Sequence, residues 1–470
     1  MLNPVNDTFI EAVTDELGED ILRPVEPSYL EEPRGLLQGT GGALALPRRV
    51  EEVSTLIRLA NTHRIGVVPY GGGTGLVGAQ VMPDGPAPLI LSLERMNAIR
   101  AVHPEENVMI TEAGVILETV QEAAREAGRL FPLSLASQGS CRIGGNLSTN
   151  AGGLNTLRYG NARELCLGLE AVLPSGEIWH GLSRLRKDNT GYDLRHLLMG
   201  AEGTLGVITA AALKLSPLPQ QHATAMLAVR DPAAAVELLA LAHTELGEVV
   251  STFELIHGTG LQFLSERMPQ VRQPLADQPE WSVLIDIGTS GGMEAEAALE
   301  AVFMAAHEAG LVSDGVIAQS ESQRAELWAV REQIPEANRL VGAIVSTDIS
   351  VPISRIPEMI ARSRVELDKL GDVRINSFGH VGDGNLHLNV FPAKGRVRED
   401  YANIKAEVAR VIYDLTAEME GSFSAEHGIG RVKPDELERY ADPTKLASMR
   451  AIKAALDPNG IMNPGAVLND

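Results

Sequence analysis

Residues 69–79, "PYGGGTGLVGA", decide how the first half of the chain is interpreted, because five glycines stand among the eight positions from Gly71 to Gly78. The stretch contains a literal G-x-G-x-x-G, and a nicotinamide-binding fold needs a helix to begin inside such a loop. Three prolines in the residues that follow, "AQVMPDGPAPLILSL", prevent that helix. The next regular element is the strand "LILSL". The loop is therefore expected to join strand to strand, which excludes a nicotinamide dehydrogenase.

Two further stretches, 136–178 and 199–215, are rich in small residues, mainly Gly, Ser, Thr, Ala and Asn. Small side chains let the backbone approach a large flat ligand, and glycine-rich backbone can bind an anion through its N–H groups. Three unrelated tight turns are the alternative. Three such clusters in the first half of one chain favour a shared cofactor.

Composition limits the classes of partner. The chain has 470 residues and a net charge of −22, which predicts two or three domains and argues against nucleic acid and anionic membranes as partners. An anionic substrate would need a local basic site. The two cysteines, Cys141 and Cys166, form no C-x-x-C, and the acidic N-terminus has no apolar h-region. With no run of 18 apolar residues, these features predict a cytoplasmic protein without a transmembrane segment.

Composition shifts divide the chain into four parts. Residues 1–33 are expected to form a helical segment and a connector, and β/α alternation then continues to residue 217. The prolines in "SPLPQQH" (216–222) indicate a boundary. Residues 223–430 mix helices with strands and would form a second domain. Residues 431–470 would form a C-terminal segment that returns to the first.

A candidate metal site starts from "INSFGHVGDGNLHLNVF" (375–391), where Asp-Gly predicts a tight two-residue hairpin. In that register His380 would face His387 directly, with Cβ atoms roughly 4.5–5.5 Å apart. Asn389 would share the face of His387, and two imidazoles there can share a divalent metal. A third ligand would be Glu426 of "SAEHGIG", followed by His427, with glycines that allow the turn. A pair of surface or core histidines and a buried Glu–His ion pair are the alternatives.

These motifs together resemble one flavoprotein superfamily, the vanillyl-alcohol oxidase or PCMH type. Within it the sequence is similar to the FAD-dependent D-2-hydroxy-acid dehydrogenases, which include D-lactate and D-2-hydroxyglutarate dehydrogenases. The similarity covers nearly the whole chain and includes "PYGGGTGLVGA", "GGNLSTNAGG", "GAEGTLGVIT", "GHVGDGNLH", "AEHGIG" and "DPNGIMNPG". It implies an α+β fold: a PCMH-type FAD-binding domain of two α+β subdomains at 34–217, and an α+β cap domain with a C-terminal helical segment.

The resemblance also assigns roles to residues. It makes His380, His387 and Glu426 the ligands of Zn²⁺ or Mn²⁺ and His427 the general base, and it places Arg331 and Asn389 at the substrate. The positions that match FAD contacts are Gly71, Gly72, Gly73, Thr74, Gly75, Gly139, Gly145, Asn146, Ser148, Thr149, Gly153, Glu202, Gly206, Ile208 and Asn463.

The implied reaction is oxidation of a D-2-hydroxy acid chelated to the metal. His427 would remove the hydroxyl proton while hydride passes from C2 to the flavin N5, and a quinone or an electron-transfer flavoprotein would accept the electrons. The flavin is expected to be non-covalent, because residues 69–79 hold no histidine or cysteine, although Cys141 lies in the second cluster. An oxidase that uses O₂ is the alternative, and a homodimer is a further expectation.

The substrate depends on the segment that contains Arg331, on a helix predicted at 324–333. Its guanidinium could bind a carboxylate bidentately, and a surface arginine is the alternative. The D-2-hydroxyglutarate type adds a threonine and a lysine, where this chain has Pro335 and Ser346. "STDISVPISR" is closer to the D-lactate type, yet an unpaired Arg331 would be costly beside an uncharged substrate tail. D-2-hydroxyglutarate is therefore placed ahead of D-lactate, with Arg142, Arg339 or Lys433 as replacements for the lysine.

Overall fold

The computed structural model of the protein describes residues 1–469, and its chain divides into two compact units. The first unit comprises residues 1–152, 160–218 and 426–470, and the second comprises 153–159 and 219–425. Residues 1–33, predicted as a separate helical segment, lie in the first unit, and the break between the units falls within the proline-containing segment 216–222. Residues 153–159 belong with the second unit, and the terminal segment of the first unit starts at Glu426 rather than at residue 431.

Helices and strands are both numerous. The α-helices are α1 (Asp7–Leu17), α2 (Val50–His63), α3 (Leu117–Glu126), α4 (Ile143–Ser148), α5 (Thr156–Tyr159), α6 (Leu194–Leu198), α7 (Pro232–Leu246), α8 (Gly258–Arg267), α9 (Ala295–Glu308), α10 (Glu321–Val341), α11 (Ile356–Leu367), α12 (Lys405–Glu418), α13 (Pro434–Tyr440) and α14 (Pro443–Leu456). None of the helices within residues 1–469 combines the length and the apolar character needed to cross a bilayer.

The strands lie in both units. They are β1 (Leu22–Arg23), β2 (Ala43–Ala45), β3 (Val67–Tyr70), β4 (Leu89–Ser92), β5 (Ile99–His103), β6 (Val108–Glu112), β7 (Arg129–Leu130), β8 (Cys166–Val172), β9 (Ile178–Gly181), β10 (Val207–Lys214), β11 (Ser216–Pro217), β12 (Gln221–Val229), β13 (Val250–His257), β14 (Trp281–Thr289), β15 (Val312–Ile317), β16 (Val345–Ser346), β17 (Ile349–Ser350), β18 (Val373–Phe378) and β19 (Asn385–Pro392).

The first unit contains two main sheets, ordered β1-β2-β4-β3 and β5-β6-β10-β8-β9. Strands β3 and β4 are parallel neighbours, and the glycine-rich stretch lies in the connection between them. The strand-to-strand connection predicted from the prolines is therefore confirmed. Helix α2 buries Val53, Leu56 and Ile57 in the core of this unit, as its 3.6-residue spacing predicts.

The second unit is organised around the antiparallel sheet β13-β14-β12-β15. Alternate residues of its strands enter two cores, because successive side chains of a strand point to opposite faces. One core contains residues of α7 and α9, and the other contains residues of α8 and α10. The smaller sheet of this unit consists of β16, β17 and β18, each paired with β19.

The predicted register of the β18–β19 hairpin is wrong. His387 pairs with Phe378, and Asn389 pairs with Asn376, so His380 lies beyond the end of β18. The connection is a loop of residues 379–384 that includes a 3-10 turn, in which Gly384 adopts a left-handed φ of 89°. Asp-Gly therefore ends a longer loop instead of forming the whole turn. The predicted alternation holds, because Leu386, Leu388 and Val390 are buried in the core.

Candidate active site

The first unit contains a cavity of about 600 Å³, which is within the ~300–1,000 Å³ typical of small-molecule sites. Its wall includes residues of all three stretches of small residues, 69–79, 136–178 and 199–215, together with Glu426 and His427. The predicted FAD contacts that line it are Gly71, Gly72, Gly73, Thr74, Gly75, Gly145, Asn146, Ser148, Thr149, Glu202, Gly206 and Ile208.

Close approach of backbone explains why glycine is needed at this wall. A Cβ added to Gly72 would overlap the Ser140 carbonyl oxygen and would lie 2.8 Å from the Cys141 Cα, so the glycine loop and the second stretch touch through their backbones. At Gly145 an added Cβ would meet only the Gly71 Cα, at 3.9 Å, so a side chain there would occupy open space. The cavity is thus a cradle that larger residues would fill, and it fits a bulky flat cofactor.

Three of the predicted FAD contacts are not among the described residues that line this cavity: Gly139, Gly153 and Asn463. Gly139 is exposed, and Gly153 belongs to the second unit. Asn463 is buried, and its side-chain amide donates to the carbonyl oxygens of Ala79 and Glu202 at 3.0 and 2.7 Å. We therefore interpret Asn463 as a support for the glycine loop.

Glu202 also has a structural task at the cavity wall. Its carboxylate accepts hydrogen bonds from the N–H groups of Ile429 and Gly430, at 2.8 and 2.9 Å. Gly428 has a φ of 83°, and a Cβ there would lie 2.7 Å from the Glu202 Oε1. The turn directly after His427 therefore has to contain glycine and is held by a buried carboxylate from the third glycine-rich stretch. Burial raises the pKa of Glu202 to about 7, although these N–H groups and Lys433 oppose the shift.

The second unit contains the two histidines that were predicted to bind metal. Although His380 lies in a loop, its ring centroid is 5.6 Å from that of His387. His380 Nδ1 lies 2.6 Å from a Glu254 oxygen, and His387 Nδ1 lies 3.9 Å from an Asp348 oxygen. Metal-binding histidines commonly direct one ring nitrogen to a carboxylate and coordinate through the other, and the contact of His380 with Glu254 fits that chemistry. Glu426 and His427 belong to the first unit, and a metal site shared with them stays a prediction.

Arg331 is buried and paired rather than exposed. It lies on α10 with 4% of its surface accessible, and its Nε donates to a Glu254 oxygen at 2.6 Å. Its guanidinium carbon lies 5.0 Å from the Phe378 ring centroid. Burial alone would raise the pKa of Glu254, but His380 and Arg331 together lower it to about 2. A charged arginine thus has a charged partner within the protein, so the cost of an unpaired Arg331 no longer argues for a dicarboxylate substrate.

Sequence reasoning missed Glu254, although a signal was present. The residue stands in β13, "VSTFELIH", where every neighbour is buried. A carboxylate in such a strand is almost never fully buried unless it is paired, so its presence indicates a partner. Helix α10 is also longer than predicted, spanning Glu321–Val341 with Pro335 inside it.

The remaining substrate positions have mixed outcomes. Asn389 is buried, and its Oδ1 accepts from the Thr347 N–H at 3.1 Å. Ser346 pairs with Asn389 in the sheet and is exposed. Arg339 has 71% of its side chain exposed and is bonded to Glu336, so it does not replace the missing lysine. Arg142 and Lys433 both lie in the first unit.

Comparison with known proteins agrees with this description. Residues 42–181 match the family described as FAD binding domain, and residues 218–467 match FAD linked oxidases, C-terminal domain. The fold is similar to that of p-cresol methylhydroxylase with substrate bound, at a TM-score of 0.75 and 16% identity over 100% of both chains. It is also similar to 4-ethylphenol oxidase from Gulosibacter chungangensis, at a TM-score of 0.73 and 18% identity over 100% of this chain and 99% of that one. The fold and the matched domains define an FAD-dependent oxidoreductase of the PCMH type.

Curated relatives narrow the family. The chain is 38% identical to D-2-hydroxyglutarate dehydrogenase, mitochondrial, of Arabidopsis thaliana over 92% of this chain and 76% of the relative. It is 39% identical to D-2-hydroxyglutarate dehydrogenase of Xanthomonas citri pv. viticola, over 90% and 88%. A third relative, the D-2-hydroxyglutarate–pyruvate transhydrogenase of Saccharomyces cerevisiae, is 34% identical over 91% and 86%. The chain belongs to the FAD-dependent D-2-hydroxy-acid dehydrogenase family.

Proposed function

We propose that the protein oxidises D-2-hydroxyglutarate to the corresponding 2-oxo acid, with non-covalent FAD and a divalent metal held by His380, His387 and Glu426. The observation that carries the proposal is that His427 lies on the wall of the same cavity as the glycine loop in the first unit. A proton acceptor and an FAD cradle in one cavity suit removal of a hydroxyl proton and a C–H hydrogen. The relatives named above support the choice of substrate.

Each residue of the proposed site has a separate role in the reaction. When bound, FAD supplies the two-electron oxidant, and Zn²⁺ or Mn²⁺ supplies Lewis-acid polarisation of the substrate hydroxyl. His427 accepts the hydroxyl proton in its neutral form, and Glu202 holds the turn that follows it. Arg331, whose Nε is engaged by Glu254, presents the rest of its guanidinium fork to the distal carboxylate. Asn389 supplies an amide to the same substrate.

Metal dependence is tested by chelation of the holoenzyme. A chelator should abolish turnover and leave FAD bound, because the three stretches of small residues that form most of the cavity wall contain none of the proposed metal ligands. Added Zn²⁺ or Mn²⁺ should restore turnover. Full activity at less than stoichiometric metal would refute the metal assignment.

The flavin is proposed to be released by acid. The cavity contains one cysteine, Cys141, and burial raises the pKa of its thiol, which disfavours the nucleophilic thiolate. Acid precipitation should therefore leave the yellow colour in the supernatant, whereas colour retained in the pellet would show a covalent link.

D-lactate is the second candidate substrate, and specific observations favour it. Pro335 and Ser346 provide no side chain for a distal carboxylate of the kind that the D-2-hydroxyglutarate type uses, and the charge of Arg331 is already balanced by Glu254. Specificity constants for D-2-hydroxyglutarate, D-malate and D-lactate decide between them. If D-lactate is preferred and Arg331→Ala leaves that preference unchanged, Arg331 does not recognise a second carboxylate.

The electron acceptor and the location in the cell complete the proposal. A quinone or an electron-transfer flavoprotein is proposed as acceptor, with O₂ as the alternative. Peroxide release in air, compared with anaerobic dye reduction, distinguishes them.

A cytoplasmic location is proposed from the use of cysteine, although several relatives are named as mitochondrial, and fractionation of the source cells would test it. A homodimer is proposed and can be tested by light scattering.

A further inference from the structure

One buried carboxylate in the second unit joins two residues to which the proposed function gives different tasks. Glu254 is 0% exposed and lies in β13 at the edge of the four-stranded sheet. Its Oε1 lies 2.6 Å from His380 Nδ1, and its Oε2 lies 2.6 Å from Arg331 Nε. Each oxygen of the carboxylate therefore has one partner of its own.

The backbone fixes this arrangement. The N–H of Leu255 donates to the carbonyl oxygen of Gly379 at 2.9 Å, and the N–H of Gly379 donates back at 3.0 Å. This bridge ties the loop that contains His380 to the strand position next to Glu254. From the other side, α10 contributes Arg331, packed against Phe378 at the end of β18.

The contact with His380 determines which ring nitrogen carries the proton. A carboxylate accepts but does not donate, so Nδ1 must be the N–H nitrogen and Nε2 is the nitrogen suited to a metal. The contact with Arg331 engages Nε, so the orientation of the guanidinium fork is set by the same carboxylate. Metal coordination by His380 and substrate recognition by Arg331 would thus both depend on the Glu254 side chain.

We propose that Glu254 is a positioning residue that orients both the metal-binding nitrogen of His380 and the guanidinium group with which Arg331 binds the substrate. This inference rests on the proposed function, because it needs His380 to bind metal and Arg331 to contact substrate. Glu254 itself touches neither metal nor substrate in this account.

The same sheet offers a matched control. Asp286 in β14 is 3% exposed and occupies the same sheet face, since the register pairs Thr252 with Asp286 and Glu254 with Leu284. Like Glu254, it receives an arginine of α10, with Arg324 Nη2 at 2.9 Å. Its further partners include the Thr224 hydroxyl at 2.6 Å and the Trp328 indole N–H at 3.4 Å, and none of these is a proposed site residue. Asp286→Asn therefore reproduces the loss of a buried carboxylate without affecting His380 or Arg331.

The first experiment measures metal affinity and needs no turnover. Metal-free wild type, Glu254→Gln and Asp286→Asn are titrated with Zn²⁺ against a chromophoric chelator, and circular dichroism confirms that each is folded. Loss of the outer partner of a ligand typically weakens metal binding about 10–100-fold. We expect that loss in Glu254→Gln, and an affinity within about threefold of wild type in Asp286→Asn. Glu254→Asp, which keeps the charge but shortens the reach, serves if the Gln variant does not fold and should also bind weakly.

The second experiment tests substrate recognition by Arg331 through the KM values of two substrates. In Glu254→Gln the KM for D-2-hydroxyglutarate should rise by at least tenfold more than the KM for D-lactate, whereas Asp286→Asn should leave the ratio of the two KM values unchanged. Equal Zn²⁺ affinities and equal KM ratios in the two variants would overturn the role of Glu254 and leave the proposed function standing. A wild type that binds no Zn²⁺ would overturn the metal site, and the role of Glu254 with it.

Discussion

The Glu202 carboxylate accepts a hydrogen bond from the Gly430 N–H at 2.9 Å, although the two residues are 228 positions apart in the sequence. Glu202 also accepts from Ile429, so two successive N–H groups close on one anion in the manner of a backbone nest. The turn after His427 is thereby fastened to the third glycine-rich stretch. The contact therefore connects one wall residue of the cavity to the turn that follows another, His427.

Glu202→Gln should weaken the hydrogen bonds that hold the turn after His427, because an amide offers one acceptor oxygen and directs an NH₂ group at a backbone N–H. An unsatisfied buried donor costs about 1–3 kcal/mol, so the turn should be held less firmly and flavin reduction should slow. Glu170→Gln is the control, since Glu170 is also buried in the first unit and bonded to Arg100 and Thr209. It should lower stability without slowing flavin reduction. Equal reduction rates in the two variants would show that Glu202 has no part in placing His427.

Stability should depend on pH through Glu202. Burial raises its pKa from 4.5 to about 7, so the folded protein holds this proton more tightly than the unfolded chain does. The stabilisation is complete below about pH 4.5 and is lost as the pH rises to about 7, by about 3 kcal/mol at ~1.4 kcal/mol per pKa unit. Urea unfolding across this range should show the loss in wild type, and it should be smaller in Glu202→Gln. Identical pH profiles would contradict the assignment.

Gly72→Ala should disrupt the cradle, because the new Cβ would overlap backbone of residues 140 and 141, which cannot move aside as a flexible side chain can. We expect FAD affinity to fall at least tenfold in fluorescence titrations of the apoprotein. Gly128→Ala is the control, since Gly128 has a φ of 67° but nothing within 4 Å of an added Cβ. Alanine at position 128 strains the backbone locally but meets no neighbouring atom, so this variant should bind FAD normally. Normal affinity in Gly72→Ala would mean that the two stretches need not touch.

His427→Asn should slow flavin reduction by substrate about 10²–10⁴-fold, the usual contribution of a positioned general base. Substrate affinity should change much less, since the proposed binding groups are retained. His180→Asn, at an exposed histidine of the first unit, should leave the rate unchanged. Stopped-flow absorbance of the bound flavin measures both variants. A loss below tenfold in His427→Asn would remove it from the role of base.

The sequence predicted local features better than pairings between distant segments. Three prolines within residues 83–88 were enough to predict that β3 leads to β4, because prolines so closely spaced remove the N–H donors that successive helical turns need. The face of Asn389 followed from strand alternation alone. The register of the hairpin did not follow, because Asp-Gly is compatible both with a two-residue turn and with the end of the longer loop 379–384.

Distant pairings were the part that could not be predicted. Glu254 lies 77 positions from Arg331 and 126 positions from His380, and no spacing rule relates them. Its burial in β13 indicated a partner but not which one. Asn463 was assigned to FAD by resemblance, and no pattern in the sequence indicated that its amide would donate to the carbonyl oxygens of Ala79 and Glu202 and accept from Arg431. Roles that depend on tertiary contacts were therefore the least predictable.

We expect D-2-hydroxyglutarate to reduce the flavin of this protein, and anaerobic mixing of the holoenzyme with that acid shows directly whether it does. The oxidised-flavin absorbance should bleach rapidly with D-2-hydroxyglutarate, should not bleach with the L enantiomer, and should bleach more slowly with D-lactate at equal concentration. An oxidised spectrum that persists at saturating D-2-hydroxyglutarate, in a preparation with full flavin and metal, would contradict the account. Faster reduction by D-lactate would contradict the choice of substrate.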